Sequence, residues 1–393
     1  MIQAIGHGRI SAFRLEPFRL LFPLGYFFLV LGLGVWSAGL AGDSPHRETV
    51  HALLLGDGFL FAFAAGILLS EVPRWQGTGP LGGVPLSAFM VFLCAAGLSA
   101  AQGALFFTYA FHSLALLVLA AYLGYGWLIS KGRRQPGPIL AFSATVIAMA
   151  FDFFGIMAES GAFPREAGRG AAVAGLQIFL YLFAMACVRW SKETGLRAGL
   201  AYGIPWAAAW LVFSFLLEIA AAYSIHSEWL VRVSHLIRFL WLGLFLGARK
   251  GYRPLFADLP VSGRILKAGA AFLFAGTLAA AQFPGWSVAL NHVAYLLGFA
   301  WILLAGATGL IAGRLAATPR KPGRMLLRFL GVSLAAAAIL RLAAEAVPEY
   351  RSSILAIAAS LAMLPMLAWA VFQFPRLADW DARRAGSPGP KEP

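Results

Sequence analysis

The chain has 393 residues, of which 60% are hydrophobic and 12% charged, with a mean hydropathy of +0.76 and a formal net charge of +14. Charge this sparse does not cover the surface of a soluble protein of this length, whereas hydrocarbon accepts apolar surface. The composition therefore excludes a large soluble domain and indicates one transmembrane domain spanning residues 1–393.

Twelve apolar stretches follow one another along the chain, and each is long enough to cross ~30 Å of hydrocarbon at ~1.5 Å per residue. The segments between them are rich in Pro, Gly and charge, as at 131–136 and 319–322. We therefore predict an all-α, polytopic bundle of about twelve transmembrane helices, with a disordered polar tail from about residue 385. The predicted spans are 18–40, 51–71, 83–101, 104–128, 138–158, 171–190, 200–223, 229–248, 265–283, 288–313, 325–346 and 352–375.

Lys and Arg are distributed unequally between the two ends of these spans. If the N-terminus lies inside, most of the 31 basic residues fall on the same side as it does. Because basic loops stay in the cytoplasm, we predict that both termini are cytoplasmic. This placement accounts for the positive charge without a nucleic-acid partner. The opposite face receives Arg47, Arg165, Arg169, Arg341 and Arg351.

Four histidines fall in the outer halves of four even-numbered spans. Ionisable groups inside a membrane are costly, so each is a candidate for function. Imidazole is a common ligand of haem iron and of copper, and histidines from different helices at one depth could form such a site. The alternative is that each lies at the wet interface and binds nothing. The predicted metal ligands are His51, His112, His235 and His292.

Arg232 and Arg238 flank His235 at helical spacing on span 8 and share one face with it. An arginine in a membrane helix needs an anionic partner. Haem propionates are one candidate, which makes Arg232 and Arg238 predicted cofactor-binding residues. Glu218 or Glu228 would be the alternative within the protein.

One run of residues is more specific than the rest. Leu68-Leu69-Ser70-Glu71-Val72-Pro73-Arg74-Trp75-Gln76-Gly77 ends the second span, which begins at His51. It resembles the Leu-Leu-x-x-Val-Pro-x-Trp-x-Gly run of the NnrS family, which follows a histidine-bearing second helix. The entry Pro17-Phe18-Arg19-Leu20 and the stretch Asn291-His292 with Leu297-Gly298-Phe299 are also similar to that family. The chain is identified as a divergent member.

The resemblance implies a haem- and copper-containing protein of the bacterial inner (cytoplasmic) membrane. It also implies a role in nitric oxide metabolism, denitrification or protection against nitrosative stress. His51 and His292 match the histidines of the family's helices 2 and 10. Leu53 and Leu54 stand where the family usually has His and Glu, so three alternatives stay open: haem with copper, haem alone, or no metal.

The leading hypothesis is a haem-binding protein whose site lies near the periplasmic face. His51, His235 and His292 are the first choices as ligands and His112 is the fourth. The expected partners are membrane lipid, nitric oxide or a related small molecule, and a respiratory-chain component. The rival hypotheses are a secondary transporter and a membrane subunit or assembly factor of a respiratory complex.

Overall fold

The computed structural model describes residues 16–37, 47–130, 136–186, 188–189, 197–221, 223, 227–244, 253–254, 262–314 and 324–378. The predicted polar tail and most of the basic loops lie outside these residues. The described part is almost entirely helical, so the all-α class is confirmed. A two-residue antiparallel pairing joins β1, Val188–Arg189, to β2, Arg253–Pro254.

The helices follow the predicted spans closely. Two are composite: α2 contains the π-helix Leu54–Leu60 between Arg47–Leu53 and Phe61–Gln76, and α10 contains the π-helix Ala294–Ala300 between Ser287–Val293 and Trp301–Arg314. Short 3₁₀ turns, Pro284–Trp286 and Pro348–Tyr350, precede the helices that begin at Ser287 and Arg351. The other helices are α1 Phe18–Ser37, α3 Gly83–Ala101, α4 Leu105–Ile129, α5 Pro136–Glu159, α6 Arg165–Ala186, α7 Arg197–Ala221, α8 Ser227–Leu242, α9 Ser262–Gln282, α11 Arg324–Ala346 and α12 Arg351–Ala378.

Length and apolar composition qualify nine of these helical segments to cross a membrane, counting only the described residues. Two further apolar helices, Trp206–Ala221 and Ala268–Gln282, are shorter. The protein is therefore a polytopic helical membrane protein. The count of twelve spans and the cytoplasmic termini stay predictions.

Two predicted breaks between neighbouring spans are tight turns. Gly103 has φ of +72°, a left-handed conformation that favours glycine, and the amide of Ala104 donates to the carbonyl of Ser99 across it. Pro284 begins the turn before α10, where its missing N–H and fixed φ suit the first helical position. Apolar helices thus reverse direction within a few residues at both places.

Helices α2, α6 and α10 are the most deeply buried of the long apolar helices. Small residues let them approach their neighbours, as expected where helices pack in lipid. At Gly58 of α2, a Cβ atom would lie 2.7 Å from the Cβ of Phe28 on α1, closer than van der Waals contact permits.

Candidate metal and cofactor site

A cavity of about 660 Å³ lies among α1, α2, α6, α7, α10, α11 and α12. Its walls are largely aliphatic and aromatic, with Leu29, Leu33 and Phe59 among the lining residues. Its volume falls in the range of sites that hold small molecules and cofactors, ~300–1,000 Å³. His51 and His292 both line it, although 241 residues separate them in sequence.

The two imidazoles lie side by side in this cavity. Their ring centroids are 6.5 Å apart and their planes differ by 14°. Nδ1 of His51 is 2.8 Å from the carbonyl oxygen of Gly32, and Nδ1 of His292 is 2.8 Å from that of Val288. Since a carbonyl only accepts, each neutral ring carries its proton on Nδ1 and keeps the lone pair on Nε2. This is the tautomer that backbone carbonyls fix in metal-binding histidines.

Each of these histidines belongs to a short α-helical segment that runs directly into a π-helix. Arg47–Leu53 precedes the π-helix of α2, and Ser287–Val293 precedes that of α10. An additional residue in a helical turn rotates the preceding segment by about 100° relative to the following one, because a residue of α-helix turns that far. The π-helices therefore set the direction of the two histidines independently of the apolar spans below them.

Further contacts hold the His51 end of the cavity. Arg47 donates from Nε and Nη2 to the carbonyl oxygen of Val35, at 3.0 and 2.8 Å, and its guanidinium lies 4.8 Å from the ring centroid of Trp36. Trp36 in turn meets His51 edge to face, with centroids 5.9 Å apart. The start of α2 is thus attached to the end of α1.

Cationic side chains line part of the cavity. Arg341 is 7% exposed and donates from Nη1 to Oε1 of Glu345 at 2.6 Å. Arg351 donates to Glu48 at 3.2 Å and lies 3.7 Å from Glu345. Arg169 also lines the cavity and donates to Glu159 at 2.7 Å. The sequence placed Arg341 in the outer polar layer but assigned it no role.

The predicted propionate-binding arginines lie elsewhere. Arg238 is buried, donates to Glu218, and stacks 3.6 Å above the ring centroid of Phe215. Glu218 is the carboxylate partner that the sequence offered as the alternative to haem propionates. Arg232 is exposed on α8. Of this group only Glu218 and Phe215 line the cavity.

His235 belongs to the same α7–α8 cluster. It is 0% exposed, its Nε2 lies 3.9 Å from Oε1 of Glu218, and its Nδ1 lies 3.5 Å from Nη1 of Arg238. His235 does not line the cavity. His235 and Arg238 share the buried face of α8 that contacts Glu218, whereas Arg232 is exposed, so the predicted common face of all three residues is wrong for Arg232.

His112 lies in another buried cluster. Its Nδ1 is 2.7 Å from Oδ2 of Asp152 on α5 and 3.9 Å from Oδ2 of Asp57 on α2. The four predicted ligands therefore divide into one pair, His51 with His292, and two histidines outside the cavity: His112, hydrogen-bonded to Asp152, and His235, whose Nε2 lies 3.9 Å from Glu218. Among the described residues, no three His, Cys, Asp or Glu side chains are grouped so as to hold a metal ion by themselves.

At two positions the sequence departs from the family's pattern, and both hold apolar residues that are buried in the structure. Leu53 and Leu54 are 2% and 1% exposed and belong to the hydrophobic core. They supply no ligand beside His51.

Comparison with known proteins agrees with the resemblance read from the motifs. The family model described as "NnrS protein" matches residues 12–379, nearly the whole chain. A search of the curated proteins gave no match. The match covers α2 with its histidine and signature run, the cavity helices and α10. The chain belongs to the NnrS family.

Proposed function

We propose that the two-histidine cavity binds haem, with His51 and His292 as the iron ligands, and that the protein acts on or senses nitric oxide near the periplasmic face of the bacterial inner membrane. The observation that carries the proposal is the pairing of these two imidazoles in one cavity, with both Nδ1 atoms bonded to carbonyls. Membership of the NnrS family supports the link to nitric oxide metabolism and nitrosative stress.

The donor set suits haem. Two imidazoles are sufficient for haem iron because the macrocycle supplies the remaining nitrogens. The ring centroids are 6.5 Å apart, close enough for one group to contact both imidazoles. The apolar walls fit a macrocycle, and Arg341 and Arg351 provide positive charge for its carboxylates. These features make His51, His292 and Arg341 the residues that would hold the group.

When bound, haem would supply an iron centre with affinity for nitric oxide, which would have to replace one of the two imidazoles because these and the macrocycle together provide six ligands. The residues of the chain would bind and orient this group. The carbonyls of Gly32 and Val288 orient the two imidazoles and make Nε2 the better donor. The largely apolar lining favours a small neutral molecule such as nitric oxide, which can enter from lipid.

Copper is the second metal that the family implies, and imidazole binds it well. Leu53 and Leu54 leave His51 without the neighbouring ligands found in the family's usual sequence. We therefore propose haem as the principal group and copper as the alternative occupant of the same two histidines. Metal analysis distinguishes them.

The test is purification in detergent from cells supplied with iron and haem precursor, followed by metal analysis and an optical spectrum with and without nitric oxide. We expect about one haem per chain and a Soret band that shifts with nitric oxide. His51→Gly and His292→Gly should each lose haem or change its ligation, and free imidazole should restore the spectrum of the glycine variants.

His235→Gln serves as the comparison, because His235 lies outside the cavity and contacts Glu218. It should keep the wild-type spectrum. A folded, colourless wild-type protein without metal would overturn the proposal. Loss of haem in His235→Gln alone would instead favour the ligand set predicted from the sequence, which includes His235 of α8. Uptake into proteoliposomes, or co-purification with a reductase, would favour the transporter or respiratory-subunit hypothesis.

A further inference from the structure

A second group of polar side chains lies inside the bundle, away from the two-histidine cavity. Asp57 of α2, His112 of α4 and Asp152 of α5 meet with side-chain exposures of 6%, 1% and 2%. His112 donates from Nδ1 to Oδ2 of Asp152 at 2.7 Å, and the hydroxyl of Ser113 lies 3.4 Å from the same oxygen. Phe61 packs its ring against His112, with centroids 4.8 Å apart.

Three buried polar atoms of this group have no hydrogen-bond partner among the described residues: Nε2 of His112, Oδ2 of Asp57 and the hydroxyl of Tyr109. Such atoms cost free energy when they are buried, ~1–3 kcal/mol each. Most buried polar groups in proteins are paired, so three unpaired atoms on neighbouring side chains require an explanation. A structural ion pair between His112 and Asp152 does not explain them.

The charges of the group suggest the missing component. With His112 protonated and both aspartates ionised, the group carries a net charge of −1. Isolated charge at this depth is strongly disfavoured. One further proton, shared by the three side chains, makes the group neutral and supplies a donor for the oxygen of Asp57.

The neighbouring helices offer little else to balance the charge. Helix α3 carries no ionisable side chain except Cys94, and the charge of α1 is limited to Arg19 near its start. Asp57 interacts electrostatically with His112 and Asp152. The other ionisable side chains of α4 and α6 are Tyr109, Tyr122, Tyr125, Arg165, Glu166, Arg169 and Tyr181.

Polar groups continue from this cluster along the α4–α5 contact. Tyr109 is one turn before His112 on α4, and its ring packs on Gly155, one turn after Asp152 on α5. A Cβ at Gly155 would lie 2.8 Å from Cδ2 of Tyr109. The tyrosine is within electrostatic range of Asp57, Asp152, Glu159 and Arg169.

Glu159 ends α5 one turn beyond Gly155, and its side chain and that of Arg169 are each 14% exposed. Tyr109 therefore stands between the buried carboxylates and a partly accessible ion pair. Its hydroxyl can donate one proton and accept another without a change of charge.

We propose that Asp57, His112 and Asp152 form a proton-binding site inside the bilayer, which holds two protons and exchanges them through Tyr109 with the end of the bundle at Glu159 and Arg169. This function is separate from haem binding and does not depend on it.

The test is infrared spectroscopy of the purified protein in lipid. We expect the band of a protonated buried carboxyl at pH 7, which is lost or shifted in Asp57→Asn and in Asp152→Asn. After a change to D₂O, the shift of this band reports exchange of the proton. Tyr109→Phe should keep the band but slow its exchange about tenfold or more, because the ring stays and the hydroxyl is lost.

Tyr122→Phe is the matched control on the same helix, since the Tyr122 hydroxyl donates to the carbonyl of Gly79 and lies apart from the cluster. It should exchange at the wild-type rate. The absence of a protonated carboxyl in the wild-type protein would overturn the proposal, as would unchanged exchange in Tyr109→Phe. A stoichiometric metal ion lost in His112→Gln would also overturn it. If an asparagine variant fails to fold, the wild-type band and the exchange rates of the two tyrosine variants still test the proposal.

Discussion

Arg341 is the residue whose role changes most between sequence and structure. It lines the cavity, is nearly buried, and acts electrostatically on both His51 and His292. Its partner Glu345 is more exposed, with 29% of the side chain accessible. Arg341 therefore places a positive charge beside the proposed ligands, where a carboxylate of a bound cofactor could share it.

Arg341→Gln should weaken haem retention about tenfold or more, because a hydrogen bond to a charged group contributes ~1.5–3 kcal/mol. Arg232→Gln should have no effect, since Arg232 is exposed on α8. The measurement is the rate of haem transfer to an excess of a soluble haem-binding protein. Glu345→Gln removes the ion pair and keeps the positive charge of Arg341, so it separates the contribution of the ion pair from that of the charge. Equal transfer rates for Arg341→Gln and wild type would exclude a role for Arg341.

At the residue scale, the sequence allowed a prediction of depth for each histidine but not of its contacts. His51 and His292 were predicted from depth and from the family resemblance, and they line one cavity. His112 and His235 satisfy the same criterion of depth, yet each meets a carboxylate on a neighbouring helix. Which helices are neighbours is a matter of tertiary packing, and hydropathy carries no information on it.

At the scale of elements, the helix bounds were predictable because an apolar run between polar breaks has few other structures in lipid. Helix α6 departs by six residues at its start, beginning at Arg165 rather than at 171. Its first turns carry Glu166 and Arg169, whose polarity concealed the helix from a hydropathy reading. These turns supply part of the cavity wall.

The two π-helices were not predicted. A π-helix differs from an α-helix by a single residue in register, and an apolar run hides such a shift because every face is hydrophobic. Their positions directly after the segments of His51 and His292 make them the elements that orient the proposed ligands.

Deletion of Leu296 should convert the π-helix of α10 to regular α-helix and turn His292 by about 100° relative to Trp301–Arg314. We expect haem binding to be lost while helical content is retained, as measured by the Soret band and by circular dichroism of the same sample. Deletion of Gly79, in the exposed link between α2 and α3, is the control and should keep both signals. Full haem binding after deletion of Leu296 would show that the register of α10 is irrelevant to the site.

At the scale of the whole molecule, the polar groups separate along the bundle. The basic residues of the sequence cluster at one end of the predicted spans. The chain turns that precede α10 and α12, together with the Glu159–Arg169 pair, belong to the opposite end. The proposed haem cavity and the proposed proton-binding site would then both open towards the periplasm, and neither would require a path across the membrane.

This orientation can be measured with single cysteines in a protein that has Cys94 and Cys187 replaced by alanine. Glu349→Cys, in the exposed turn between α11 and α12, should react with a membrane-impermeant maleimide in intact cells. Gly79→Cys, in the link between α2 and α3, should react only after the membrane is permeabilised. The positive-inside distribution requires this result, because an even number of spans places both termini with the basic loops. If Gly79→Cys were labelled in intact cells and Glu349→Cys were not, the protein would have the opposite orientation, with both proposed sites at the cytoplasmic face.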